Sequence, residues 1–147
     1  LTHKQIVQKA KNWLVGTKGY TIAVAELTTV ESETPDVIGF KSIGGISILL
    51  ECKVSRSDFM HDCKKPHRNY GIGMGNERYF YTPCDLLSVD ELPAGWGLLE
   101  TDGRCTTMIK KAEWRESDKS AEVTFLTSII RRLQLATCVY VIADESV

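Results

Sequence analysis

Pro35-Asp36-Val37-Ile38-Gly39-Phe40 and Ile46-Ser47-Ile48-Leu49-Leu50-Glu51-Cys52-Lys53 are the two runs on which the reading of this chain turns. Each has a short apolar stretch bounded by turn residues, so each reads as a strand, with Lys41-Ser42-Ile43-Gly44-Gly45 as the turn between them. In an antiparallel hairpin, facing residues keep a constant index sum. Setting Asp36 opposite Glu51 makes that sum 87 and centres the turn between Ile43 and Gly44, inside the turn read independently. Facing residues carry Cβ atoms about 4.5 to 5.5 Å apart, close enough for two carboxylates to hold one divalent cation. Lys53, two residues beyond Glu51, projects to the same face, while Cys52 points away and offers only its backbone carbonyl.

The residue types suit one chemistry. Two apposed carboxylates repel unless a cation neutralises them, and a bound Mg²⁺ or Mn²⁺ polarises a phosphate oxygen and lowers the pKa of a bound water. Lys53 would orient and stabilise the attacking hydroxide. An ion pair at a strand end uses the same residues. Against it, Ile46, Ile48 and Leu50 lie on one face and Leu49 on the other, so the strand is read as buried on both faces, where charge is expensive.

The Pro35-Asp36…Glu51-Cys52-Lys53 arrangement resembles the PD-(D/E)XK nuclease superfamily. The segments Val54-Ser55-Arg56-Ser57-Asp58-Phe59, Glu77-Arg78-Tyr79-Phe80-Tyr81-Thr82-Pro83 and Gly95-Trp96-Gly97-Leu98-Leu99 are similar to small phage and prophage members of it. The resemblance spans about residues 3–100. It implies an α/β fold of the restriction-endonuclease-like αβββαβ type, a central mixed sheet flanked by helices. It further implies Asp36 and Glu51 as metal ligands together with the Cys52 carbonyl, Lys53 as the catalytic lysine, and an upstream acid as auxiliary ligand. Glu26 is the candidate for that last role, with Glu31 and Glu33 as rivals; many members carry this acid on the first helix, where this chain has none. The activity implied is metal-dependent hydrolysis of phosphodiester bonds, in DNA first, in phage DNA processing, repair or recombination. The alternative is a module that keeps the fold and binds or inhibits without turnover.

Composition agrees without selecting. A chain of 147 residues, 43% hydrophobic, makes a single domain over 1–147 with a sizeable core. A net charge of −1 argues against gripping nucleic acid by bulk charge. A local basic patch does follow the proposed site strand. From it and the loop beyond, Arg56, Lys64, Lys65, Arg68 and Arg78 are candidates for phosphate, and Tyr70 for stacking on a base. Five cysteines without a CxxC pair or regular framework read as a reduced, cytoplasmic protein of a bacterium or phage-infected host. No apolar stretch approaches the ~20 residues of a membrane span.

Along the chain, Thr2 to Val15 reads as a helix with Thr2 as N-cap, and Thr21 to Leu27 as a strand. Ser55 to Lys65 reads as a second helix with Ser55 as N-cap. On it Asp58 and Asp62 share a face beside the site, as capping and surface carboxylates or as secondary site residues. The glycine-rich stretch 69–76 reads as a mobile loop. Arg78 to Thr82 and Trp96 to Glu100 read as strands, with a hairpin through Thr101-Asp102-Gly103-Arg104 into Cys105 to Lys110. A C-terminal helix at about 119–137 carries Val123, Leu126, Ile129, Ile130 and Leu133 at helical spacing, a stripe for packing or for a homodimer.

Overall fold

The computed structural model describes residues 1–25, 35–63 and 73–133. In chain order the elements are α1 (His3–Gly16), β1 (Ile22–Ala25), β2 (Val37–Phe40), β3 (Ser47–Cys52), α2 (Arg56–Asp62), β4 (Glu77–Pro83), a single 3-10 turn (Val89–Glu91), β5 (Gly97–Thr101), β6 (Thr106–Lys110) and α3 (Lys119–Arg132). The first six elements run α-β-β-β-α-β. The strands form one six-stranded mixed sheet in the order β1-β2-β3-β4-β5-β6. β1, β2 and β3 are antiparallel neighbours, β3, β4 and β5 are parallel, and β6 returns antiparallel. The parallel step from β3 to β4 is the one α2 crosses, because a tight turn cannot join parallel strands.

The hairpin register matches the sequence expectation. Val37 pairs with Leu50, Ile38 with Leu49 and Phe40 with Ser47, all with the predicted index sum; the ladder ends at Val37, and Asp36 meets β3 through its side chain at the Cys52 N–H. All six residues of β3 are buried. The sheet is therefore a filled central layer, with period-two alternation dividing its side chains between two cores. On one face Ile6, Val7, Ala10 and Leu14 of α1 pack on Val37, Ile48, Leu50, Tyr79, Tyr81 and Leu99. On the other, Phe59 of α2 and Ala121 and Phe125 of α3 pack on Ile38, Leu49, Phe80 and Leu98. Phe80 sits in this second core with its ring 5.0 Å from Phe59, edge to face, and 4.7 Å from Trp96. Gly97 admits no side chain. A Cβ there would meet the Tyr79 ring and lie 2.6 Å from the Lys110 carbonyl oxygen.

Helix ends follow their sequence signals. Thr2 and Gln5 form a reciprocal capping box at the start of α1. Ser55 Oγ accepts the Asp58 N–H at 3.2 Å to start α2. No helix among the described residues is long and apolar enough to cross a membrane.

One expectation is corrected in part. On α3 the buried face is Ala121, Glu122, Phe125 and Ser128, with Leu126 and Ile129 of the expected stripe packed beside it, whereas Val123, Ile130 and Leu133 are 62%, 48% and 67% exposed. The physical reason is a polar anchor. Glu122, 2% exposed, accepts hydrogen bonds from Ser47 Oγ at 2.9 Å and Lys119 Nζ at 2.9 Å, which turns its side of the helix to the sheet. Of the glycine-rich stretch 69–76, residues 69–72 lie outside the described residues and 73–76 pack on the sheet. Met74 is fully buried, and the Asn76 side chain accepts the Ser47 N–H at 3.0 Å and donates to the Arg115 carbonyl at 3.0 Å.

Candidate active site

The end of β3 places three charged side chains in a confined space. Glu51 is the next-to-last residue of the strand and Lys53 the first beyond it; both are held there because the Lys53 N–H donates to the Tyr81 carbonyl at 3.1 Å, extending the parallel ladder. They are 2% and 8% exposed. Lys53 Nζ lies 3.8 Å from Glu51 Oε2 and 3.3 Å from Asp62 Oδ1, so one ammonium bridges two buried carboxylates. Burial makes this arrangement interdependent, since any of the three charges left alone would be costly.

Asp36 closes the site from β2. Its Oδ2 accepts the Cys52 N–H at 2.8 Å, a bond across the hairpin that fixes the carboxylate against the end of β3. Its Oδ1 faces His3 Nε2 at 3.6 Å. The capping box fixes the first turn of α1 and with it the backbone of His3, on the far side of Asp36 from β3. A cleft of about 410 Å³ opens here, lined by His3, Cys52, Lys53, Asp58, His61 and Asp62. Among the described residues no group of three or more His, Cys, Asp or Glu side chains is arranged to hold a metal ion. The oxygens that the hairpin end offers are those of Asp36, Glu51 and the Cys52 main chain.

Lys53 lies against Glu51, Asp36 meets the end of β3 at the Cys52 N–H, and Cys52 turns its side chain into the α1-side core. His3 and Asp62 join this cluster. Asp62 is 1% exposed, so it is a buried partner of Lys53 rather than a surface carboxylate. His3 had no signal beyond its place in the first turn of a helix; only tertiary packing carries it to Asp36. Glu26, Glu31 and Glu33, and from the basic stretch Lys64, Lys65, Arg68 and Tyr70, lie outside the described residues.

One predicted phosphate contact is corrected. Arg78 is 2% exposed, donates from Nε to the Met74 carbonyl at 2.8 Å and stacks 5.6 Å from the Trp96 ring centroid, so it belongs to the core and is screened from any ligand. Arg56 ion-pairs with Glu91 and donates to the Leu86 carbonyl at 3.0 Å, clamping the loop after β4. That pairing holds the Glu91 carboxyl down at about 2.

No protein-family profile matches the chain, and no curated protein does. Among solved structures it is similar to SPO1766, a protein of unknown function from Silicibacter pomeroyi, with a TM-score of 0.69, 24% sequence identity and coverage of 91% of this chain and 90% of that one. At that identity the likeness is one of fold, extending over nearly the whole of both chains.

Proposed function

We propose that the chain is a divalent-metal-dependent nuclease of the PD-(D/E)XK type, hydrolysing phosphodiester bonds in nucleic acid, DNA first. The observation that supports the reading is the Lys53 ammonium 3.8 Å from Glu51 at the end of β3, with the Asp36 carboxylate held against the same strand end by the Cys52 N–H. The α-β-β-β-α-β order of elements supports it.

The donor set fits a hard cation such as Mg²⁺ or Mn²⁺. Asp36 and Glu51 would hold it, with the Cys52 carbonyl as a third oxygen, since such ions take carboxylate and carbonyl ligands and keep several waters. When bound, the ion supplies Lewis-acid stabilisation of charge on the phosphate and a more acidic water. The chain's own residues do the rest. The Cys52 N–H holds Asp36 in one orientation, leaving Oδ1 directed outward. Asp62 holds the Lys53 ammonium from below, so that the lysine presents its remaining N–H donors to the cleft. There it would position an attacking oxygen and neutralise the charge that grows on the phosphate.

The test is cleavage of labelled single-stranded, duplex and branched DNA and RNA in Mg²⁺, Mn²⁺ and EDTA, with Lys53→Ala purified in parallel. Metal-dependent cutting by wild type that is lost in Lys53→Ala is the expected result. Equal traces from both proteins would sink the catalytic reading and leave a nucleic-acid-binding module in its place.

A further inference from the structure

The cations predicted to meet nucleic acid are, where described, built into the fold. Other cations line open clefts. α1 packs chiefly over β1 to β4. Beyond it, the same face of β5 and β6 forms the wall of two adjoining clefts of about 470 and 210 Å³ that share Trp13. Lys9 and Arg104 line the first, and Lys18, Lys41 and Lys111 the second.

The acids near these clefts are Glu77, which lines the second, and Asp102 in the β5–β6 turn, and both are engaged within the fold. Glu77 accepts the Tyr79 hydroxyl at 2.9 Å, and Asp102 accepts the N–H groups of Arg104 at 2.7 Å and Cys105 at 2.8 Å. Five cationic side chains against two carboxylates leave the groove net positive on a chain whose net charge is −1. Its half-buried aromatic wall, Trp13, already has the Lys18 ammonium 5.4 Å from its ring centroid. A cationic track with an aromatic face is the pairing that single strands of nucleic acid use, phosphates on the cations and a base on the ring. A duplex is too broad to enter clefts of this size, and its bases are already stacked.

Lys9 spans from α1 to the β5–β6 turn, donating to the Gly103 carbonyl at 2.5 Å. The groove lies on the α1 face of the sheet, whereas Glu51, the register partner of Phe80, projects to the other face. We propose that the groove between α1 and the β5–β6 hairpin is a binding track for a single strand of nucleic acid. The proposal rests on the nuclease reading for what the strand is doing there, but its binding claim stands apart from turnover.

The experiment is fluorescence anisotropy of a labelled single-stranded DNA oligonucleotide of about 12 nucleotides, in EDTA so that cleavage plays no part. The triple variant Lys18→Ala/Arg104→Ala/Lys111→Ala removes three exposed cations without touching the core. It is expected to weaken binding about tenfold or more and to lower the slope of log affinity against log salt by about 2. Trp13→Leu, with its thermal midpoint as a folding control, is expected to weaken binding at least about fivefold with the salt slope unchanged. Wild-type affinity and slope in the triple variant, no binding by wild type, or tighter binding of a duplex of the same length would each overturn the track. The two readings fail separately: metal-dependent cutting with unaltered binding in the triple variant removes the track alone, and groove-dependent binding without any cutting removes the nuclease alone.

Discussion

Replacing Lys53 with methionine tests the charge arrangement at the end of β3. The side chain keeps most of its length and loses its ammonium. In the wild type that ammonium lies 3.3 Å from Asp62 and 3.8 Å from Glu51, whose side chains are 1% and 3% exposed. At an effective dielectric of about 20 these attractions are on the order of 5 and 4 kcal/mol, before the desolvation of all three groups is set against them. Removal leaves two buried carboxylates with Asp36 nearby, and breaking such a buried pair costs about 3 to 5 kcal/mol. For a chain of this length each kcal/mol lowers the thermal midpoint by about 3 °C, so Lys53→Met should melt about 10 to 15 °C below wild type in EDTA. Differential scanning calorimetry reads this directly. Adding Asp62→Asn to Lys53→Met should recover part of the loss, because the orphaned charge goes with its partner. A single variant that melts within about 2 °C of wild type, or a double variant that melts lower than the single, would refute the claim that Lys53 balances two buried carboxylates.

Two further outcomes follow from the fold. Gly97→Ala should cost about 3 kcal/mol in urea unfolding at neutral pH, because its Cβ would strike the Tyr79 ring and the Lys110 carbonyl, and a carbonyl in a strand ladder has little room to yield. The Arg56–Glu91 clamp should show itself in acid. Glu91 titrates at about 2 in the fold against an ordinary 4.5, so its contribution is fully present above pH 4.5 and is lost as pH falls through about 2. Glu91→Gln should therefore lie below wild type in thermal midpoint at pH 6 and converge with it near pH 2, with a difference that shrinks in high salt because the pair is at the surface.

The part of this molecule that could be read in advance was the part in which local pattern and tertiary structure demand the same thing. The β2–β3 register was legible because the turn residues and the apolar alternation fixed it from two directions. α1 was legible from Thr2 to Gly16 because its cap and its stripe agreed. α3 was read in part: Leu126 and Ile129 of its stripe pack on the core, while Val123, Ile130 and Leu133 stay exposed. Periodicity gave no weight to Glu122, whose buried carboxylate is satisfied by Ser47 and Lys119. Arg78 was misread because a basic residue has the same appearance in sequence whether it meets a phosphate or a carbonyl, and here it meets the Met74 carbonyl. His3 lay beyond reach because its partner is thirty-three positions away and joined to it only by the packing of α1.

The spatial order of the strands is their order in the chain. During synthesis this means that each described strand finds its partner in the one made just before it, and none waits for a distant segment. The residues that carry the proposed chemistry from Asp36 to Asp62 leave the ribosome before β4 exists to bury them. For that interval Glu51 and Lys53 stand at a sheet edge in water, where their charges cost little and discourage edge-to-edge pairing with other chains. The ionic residues of the proposed site would thus also hinder edge pairing of the nascent hairpin until β4 covers it.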